Sequence, residues 1–362
     1  MGQKRQMRQK KKSEKNKRII LGIETSCDDT SICILEVQSS PKILSLNSYN
    51  QDFLLSKWGG VVPELAARSH VKALPSLLEV CLKESEVHIE DITEVAVTTH
   101  PGLIGPLLTG INLAKTFAMI RELPVTPVNH LYAHLEAIHL TEEVTYPYLG
   151  LLVSGGHTAF WWVKSSNDME MLGTTLDDAA GEAFDKGGKL MGVGYPAGRI
   201  IDELAKRGEK TKFHFPISYL RDRPGKMSFS GVKTALRVKF QKMVSELSAR
   251  EIQDELPHLA ASYQEAIVQT LKIKTEEVIE KVLNKTLTSF NHPIVIGGGV
   301  ACNSRLKEVM KNSFKNIHIV HPTFCTDNAG MIAHWAARNP ELLVSFPESL
   351  EIDAQSRFVE KK

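Results

Sequence analysis

The sequence predicts a mixed α/β protein of two lobes, the second carrying a long, largely helical insertion. Three observations predict it. At 362 residues the chain exceeds one ordinary domain of ~100–200 residues. Two strand, polar corner, strand patterns stand at residues 19–35 and 149–163, so each half opens in the same way. Helical periodicity follows each pattern and is longest over residues 256–283.

The first hairpin runs Ile19-Ile20-Leu21-Gly22-Ile23, turns through Glu24-Thr25-Ser26-Cys27-Asp28-Asp29-Thr30, and returns as Ser31-Ile32-Cys33-Ile34-Leu35. A helix is expected over 70–83, a short strand over 95–98, and a second helix over 106–121 after the turn His100-Pro101-Gly102. The second hairpin pairs Leu149-Gly150-Leu151-Leu152-Val153 with Thr158-Ala159-Phe160-Trp161-Trp162-Val163 around Ser154-Gly155-Gly156-His157. Beyond a helical stretch from 177 to about 290 the chain returns to a strand at 293–296, a triple glycine, and helices through Arg338. The expected organisation is a basic tail over 1–18, lobes over 19–148 and 149–345, and a C-terminal tail over 346–362.

Bulk properties narrow the function classes. Hydrophobic residues make up 42% and charged residues 24%, and no apolar run approaches the ~18 residues a spanning helix needs, so no membrane role is expected. The five cysteines, Cys27, Cys33, Cys81, Cys302 and Cys325, are odd in number and form no Cys-x-x-Cys pair, which fits a reducing cytoplasm better than a disulfide framework or a zinc ribbon. The first 18 residues carry nine basic side chains against Glu14, a net +8. The whole chain is only +2, so the body is −6. The arm reads equally as a solvated, disordered extension and as a segment for non-specific phosphate contact, while the body alone does not look like a nucleic-acid binder. A mitochondrial transit peptide is the weaker reading of the arm, because such peptides are Ser-rich and amphipathic as well as basic.

Three loops have the composition a nucleotide needs, since glycine lets backbone N–H groups approach phosphate oxygens. The first is the 25–30 corner, where Thr25 and Ser26 supply hydroxyls and Asp28 and Asp29 supply oxygen ligands for Mg2+ accompanying ATP, ADP or an adenylate. The second is Ser154-Gly155-Gly156. The third is Gly297-Gly298-Gly299, followed by Asn303 or Ser304 as the cap of a helix. No Gly-x-x-x-x-Gly-Lys-Ser/Thr and no strand-borne Gly-x-Gly-x-x-Gly is present, which leaves a split nucleotide site between lobes.

His130-Leu131-Tyr132-Ala133-His134 places two imidazoles one helical turn apart on one face. Leu131 stands where a metallopeptidase helix has its glutamate base, so zincin chemistry is disfavoured. Asp327, in Cys325-Thr326-Asp327-Asn328-Ala329-Gly330, is a third candidate ligand at an expected helix start; His139 and His157 are further candidates. Two histidines and a carboxylate leave positions open for substrate, a set associated with iron and also compatible with zinc.

Read in order, these residues resemble the universal tRNA threonylcarbamoyl transferase family, whose bacterial branch is TsaD and which was formerly described as a glycoprotease. The resemblance runs from about Ile19 to Ala336. Its marks are Gly22-Ile23-Glu24-Thr25-Ser26-Cys27-Asp28, Gly59-Gly60-Val61-Val62-Pro63-Glu64, Asn129 through His134, and Leu152-Val153-Ser154-Gly155-Gly156-His157-Thr158. It continues through residues 178–186 and 229–235, the triple glycine with Asn303, and Thr326-Asp327-Asn328. The sequence departs from the family pattern at His100, where many relatives have glycine, at Ala197, where they have a second glycine, and at Leu55, where they have histidine.

The resemblance implies an actin-like fold of two lobes with a helical insertion. It implies transfer of the threonylcarbamoyl group from threonylcarbamoyl-AMP to the N6 amine of adenosine 37 in tRNAs reading ANN codons. It assigns the metal, expected to be Fe2+ with zinc as the alternative, to His130, His134 and Asp327. The adenylate contacts fall on Leu152, Val153, Ser154, Gly155, Gly156, Asp185, Gly198, Asp202 and Asn303. Implied partners are tRNA with a paralogous TsaB-type subunit and a TsaE-type small ATPase in a bacterial setting, or a second copy in a mitochondrial one. The expected location is the cytoplasm, with the mitochondrial matrix as alternative. The sequence leaves two other readings open: an actin-like small-molecule phosphotransferase, and a non-catalytic scaffold subunit of the same pathway.

Overall fold

The computed structural model describes residues 18–38, 40–53, 57–58, 60–218 and 223–357. The expectations for residues 1–17, for Leu55 and Gly59, and for 358–362 concern positions outside these. The chain divides into two compact units: the described residues of Met1–Gln51, Val61–Ala133 and Asp327–Lys362 form one, and those of Asp52–Gly60 and His134–Thr326 the other.

Unit 1 begins with β1 (Arg18–Glu24), β2 (Thr30–Val37) and β3 (Lys42–Tyr49), continues through α1 (Pro63–Ser85), β4 (Glu94–His100) and α2 (Ile104–Arg121), and reaches β5 (Val125–Asn129). The sheet order is β3-β2-β1-β4-β5; the β1–β2 and β2–β3 pairs are antiparallel and the β1–β4 and β4–β5 pairs parallel. Ile19, Leu21 and Ile23 of β1 join Ile32 and Ile34 of β2 and Leu107, Ile111 and Ala114 of α2 in one apolar core. Strand β1 is buried on both faces, which is why it reads as an unbroken apolar run. Arg18, counted with the basic tail in the sequence, is the first residue of this strand, and its guanidinium pairs with Glu94 at 2.9 Å. A short helix, α3 (His130–Glu136), carries the chain out of unit 1.

Unit 2 repeats the plan. Strands β6 (Tyr148–Val153), β7 (Thr158–Val163) and β8 (Met169–Thr174) precede helices α4 (Ala180–Met191), α5 (Gly198–Ala205), α6 (Ser230–Glu246) and α7 (Ala249–Glu277). Then come β9 (Ile294–Gly297), α8 (Ser304–Ser313), β10 (Ile317–Ile319) and the single turn α9 (Pro322–Cys325). The order β10-β9-β6-β7-β8 has the same succession of parallel and antiparallel pairs as unit 1. The four helices α4 to α7 fall within the stretch expected to be helical. The 29-residue α7 is started by Ser248, whose hydroxyl accepts from the Glu251 N–H while the Glu251 carboxylate accepts from the Ser248 N–H.

At Asp327 the chain returns to unit 1 and forms α10 (Ala329–Arg338), which packs on β1 and β2. Gly22 permits this: a Cβ there would stand 2.5 Å from the Ala329 carbonyl oxygen and 2.9 Å from the Ala333 Cβ. The sequence groups α10 with residues 149–345, whereas the contacts place it with the first sheet. Residues 346–357, set apart in the sequence as a tail, also belong to unit 1. Phe346, Leu350, Ile352 and Ala354 lie against its core, and the Gln355 N–H donates to the Thr99 carbonyl at 2.9 Å.

Candidate metal centre and nucleotide loops

Helix α3 starts directly at the end of β5. The Asn129 side chain caps it, its Oδ1 accepting from the N–H groups of Leu131 (2.9 Å) and Tyr132 (3.3 Å). Leu131, Ala133 and Leu135 are buried, so the helix cannot rotate away from the orientation that sets His130 and His134. His130 Nε2 lies 3.5 Å from Asp327 Oδ1, and ligating atoms of His130, His134 and Asp327 all fall within 4.8 Å of one another. Both histidines are buried and Asp327 is partly exposed. The cluster contains none of Asp28, Asp29, His139 and His157.

Behind the cluster lies Glu24, which belongs to the first corner's motif but to which the sequence alone gives no role. This fully buried carboxylate, at the end of β1, accepts from His130 Nδ1 at 3.0 Å, from Thr98 Oγ1 at 2.6 Å and from the Ser26 N–H. An ionised carboxylate is an acceptor only, so the imidazole proton belongs on Nδ1 and Nε2 is left to face Asp327. Burial pushes the Glu24 carboxyl up, and the adjacent His130 imidazole outweighs it, leaving the group below its usual value. Burial pushes His130 down, and the Asp327 and Glu24 carboxylates together outweigh that, raising it to about 9. Two carboxylates converging on one buried imidazole make a strong site for positive charge. Two imidazoles, a carboxylate and an orienting second carboxylate therefore fit a divalent cation such as iron or zinc.

The 25–30 corner is tied down internally. Thr25 Oγ1 donates to the Pro106 carbonyl at 2.9 Å, Ser26 Oγ lies 3.3 Å from His130 Nδ1, and Asp29 Oδ1 accepts from Asn50 at 2.8 Å. The turn after β4 closes on it: a Cβ at Gly102 would stand 2.7 Å from the Ser26 carbonyl oxygen, which accepts from the Leu103 N–H at 2.8 Å. Asp28 and Asp29 are half-exposed at its rim.

In unit 2, β6 and β9 are parallel neighbours, with Leu152 opposite Gly297, so the loops after both strands leave the same edge of the sheet. That edge is where open α/β sheets bind ligands. Leu152 and Val153 are buried strand residues; Ser154 closes the turn by accepting from the His157 N–H, and Gly155 and Gly156 are exposed with open space where a Cβ would be. Gly298 passes close to this turn in the left-handed region, φ 91°, and a Cβ there would meet the Val153 carbonyl oxygen at 2.4 Å.

Asp185 Oδ1 accepts from the Ala197 N–H at 2.7 Å, joining α4 to the start of α5; burial pushes its pKa up. The Ala197 methyl is packed against α4, where a Cβ at Gly188 would come within 2.0 Å of it. Asp202 takes both the N–H (3.0 Å) and the hydroxyl (2.8 Å) of Ser304. Asn303 is the N-cap of α8, accepting from the Leu306 N–H at 2.9 Å, and its amide donates to the buried Gln264 at 2.7 Å. Gln264, on α7, is a residue that sequence reasoning passes over because a glutamine inside an amphipathic helix carries no motif. A separate concave region of about 310 Å³ on α4 and α6 is lined by Lys186, Lys189, Leu190, Lys233, Thr234 and Arg237.

The duplicated five-stranded sheets define an actin-like protein. Component A of (R)-2-hydroxyglutaryl-CoA dehydratase from Acidaminococcus fermentans has the same fold, with a TM-score of 0.52 at 13% identity over 89% of this chain and 98% of that one. Full-length HypF matches with a TM-score of 0.54 at 14% identity over 90% of this chain and 46% of its own. The sequence is more specific than the fold. The family model TsaD, tRNA N6-adenosine threonylcarbamoyltransferase, matches residues 42–334. Proteins of that name from Streptococcus suis (strain 05ZYH33) and Syntrophus aciditrophicus (strain SB) are each 42% identical. The first aligns over 87% of this chain and 90% of its own, the second over 94% and 97%. The chain belongs to the TsaD family.

Proposed function

We propose that this protein transfers the threonylcarbamoyl group from threonylcarbamoyl-AMP to the N6 amine of adenosine 37 in tRNAs reading ANN codons. Family membership supplies the reaction. The observation that carries it to particular residues is the His130, His134 and Asp327 cluster held from behind by Glu24. A phosphotransferase of the same fold has no use for that cluster, and a scaffold subunit has no need to preserve it.

His130, His134 and Asp327 would hold the metal, for which we favour Fe2+ over zinc. When bound, it supplies a Lewis acid that draws electron density from a substrate carbonyl or phosphate oxygen. The remaining work falls to the chain. The open Gly155-Gly156 turn offers backbone N–H groups to the adenylate phosphate. Leu152, Val153 and Ser154 set that turn, and Gly198 opens helix α5 beside Asp185. Asp185 and Asp202 are held rigid by their backbone and hydroxyl donors, and their remaining lone pairs suit ribose hydroxyls. Asn303 anchors the third loop. Thr25, Ser26, Asp28 and Asp29 suit a phosphate or Mg2+ with ATP, ADP or the adenylate. The amine of the adenosine attacks the threonylcarbamoyl carbonyl, and AMP leaves.

The concave region around Lys189 and Arg237 offers cations to the tRNA backbone, since phosphate contacts dominate such affinity. A TsaB-type subunit and a TsaE-type ATPase, or a second copy of the chain, are the protein partners we expect, in the cytoplasm. Among the described residues no helix is long and apolar enough to cross a membrane. The test supplies purified protein and those partners with threonylcarbamoyl-AMP and tRNA, and measures modified adenosine by mass spectrometry of digested tRNA. Unmodified adenosine would end the proposal. Metal analysis of anaerobically purified wild type and His134→Ala gives a readout independent of turnover.

A further inference from the structure

Exposed aromatic rings are confined to one short stretch of the chain. Among the described residues they are Tyr49, Phe53 and Trp58, 46%, 82% and 64% exposed; every other described phenylalanine, tyrosine and tryptophan is buried or half-buried. Phe53 and Trp58 belong to the segment Asp52–Gly60 of unit 2, the unit that also carries the Ser154-Gly155-Gly156 and Gly297-Gly298-Gly299 loops. Lys57 stands beside both: its ammonium lies 5.2 Å from the centre of the Phe53 ring, and Trp58 follows it in the chain. Trp58 directly precedes Gly59-Gly60-Val61-Val62-Pro63-Glu64, a family mark to which the metal centre and the nucleotide loops give no role. Rings left in water add little to the fold, because hydrophobic stabilisation comes from removing apolar area from water. Two of them around a lysine suit a nucleobase loop. Every base offers a π face to an aromatic ring, and the phosphate joining two bases offers its charge to the lysine. RNA is read chiefly at unpaired loops, whose bases splay out and stack on aromatic side chains. The chain beyond its basic first 18 residues is acidic overall, so stacking, which needs no net positive charge, is an affinity this body can supply.

We propose that Phe53 and Trp58 form a stacking platform for the unpaired bases beside adenosine 37 in the tRNA anticodon loop, with Lys57 taking a phosphate of the same loop. The proposal rests on the transferase reading for the identity of the RNA. Turning the N6 amine of adenosine 37 toward an acyl donor draws that base out of the stack of its neighbours, and the exposed rings give those neighbours a new surface to stack on. The division of labour is physical: the rings supply affinity that salt does not screen, and Lys57 supplies affinity that it does.

The test uses the fluorescence of Trp58 in full-length protein. Of the four tryptophans, Trp161 and Trp335 are buried and Trp162 is half-buried, so aqueous acrylamide reaches Trp58 most readily, and the difference from Trp58→Phe isolates its emission. An anticodon stem-loop RNA carrying adenosine 37 should quench Trp58 and shield it from acrylamide, and a fully paired duplex of the same length should not. Trp58→Leu should weaken stem-loop binding by roughly 5- to 150-fold, the range for one base on an aromatic ring, with the salt slope unchanged. Trp58→Phe should recover most of that loss, which a mere packing role at an exposed position would not require. Lys57→Gln should instead lower the salt slope by about one. The platform is overturned if bound stem-loop leaves Trp58 unquenched, or if Trp58→Leu binds within twofold of wild type. It is also overturned if the protein partners shield Trp58 without RNA, which would make the patch a protein interface. If adenosine 37 is modified while Trp58 stays silent, the platform alone falls. If Trp58 is quenched by a stem-loop that the complete system leaves unmodified, the platform stands and the transferase reading falls.

Discussion

Replacing Glu24 by Gln should weaken divalent metal binding by nearly two orders of magnitude while leaving the protein folded. Three donors converge on the carboxylate: the Ser26 N–H, the Thr98 hydroxyl and His130 Nδ1. A glutamine has the same shape but only one acceptor oxygen. If its NH2 faces His130, the imidazole must accept on Nδ1 and carry its proton on Nε2, the atom that faces Asp327. If it faces the other way, donor meets donor at Ser26. Loss of an orienting partner typically costs ~10–100-fold in metal affinity. Because the pair is fully buried and the tautomer itself is reversed, the upper end applies, ~2.7 kcal/mol at ~1.36 kcal/mol per decade. Competition with a chromophoric chelator at fixed pH measures it, with circular dichroism confirming that the variant is folded. An affinity within twofold of wild type would refute the orienting role of Glu24.

Asp178 takes Lys186 at 2.7 Å and also Lys233, and although burial pushes its carboxyl up, these lysines hold it below the usual carboxylate value. A depressed acid stabilises the fold above its unfolded pKa and loses that contribution as pH falls through the folded one, so wild-type stability should drop more steeply below ~pH 4 than that of Asp178→Asn. Superimposable acid profiles in urea titrations would count against it. Asn303→Ala removes the cap of α8 and leaves Gln264 without its amide donor, and should lower unfolding free energy by ~1–3 kcal/mol, with Asn303→Ser recovering part; denaturant midpoints decide. The double variant Lys189→Glu, Arg237→Glu should weaken tRNA binding and shrink the salt slope by about one for each phosphate no longer neutralised, and an unchanged slope would remove that surface from the reading.

Much was legible in the residues. Fully buried strands read as unbroken apolar runs, so β1, β2, β6 and β9 announced themselves, as did α2 and the long α7. The edge strands β3 and β8 did not: half-exposed Lys42–Tyr49 and Met169–Thr174 mix polar and apolar residues without a clean alternation. The spacing of His130 and His134 was visible because a helix converts four residues into one face. The closeness of Asp327 rested on family likeness until the fold brought it to 3.5 Å from His130.

By itself the sequence determined the two-lobed α/β plan, the glycine loops and the family, because these depend on local periodicity and on residues read in chain order. Only the tertiary structure decided that α10 and the last described segment belong with the first sheet, since Gly22 packs against Ala329 and Ala333, about three hundred positions along the chain. It alone gave Glu24 its role. Nothing in a chain-ordered reading says that a carboxylate ending one strand will meet an imidazole opening a helix 106 residues later; that follows from strand order, β1 beside β4 and β4 beside β5, and from the burial of both groups at the ends of those strands.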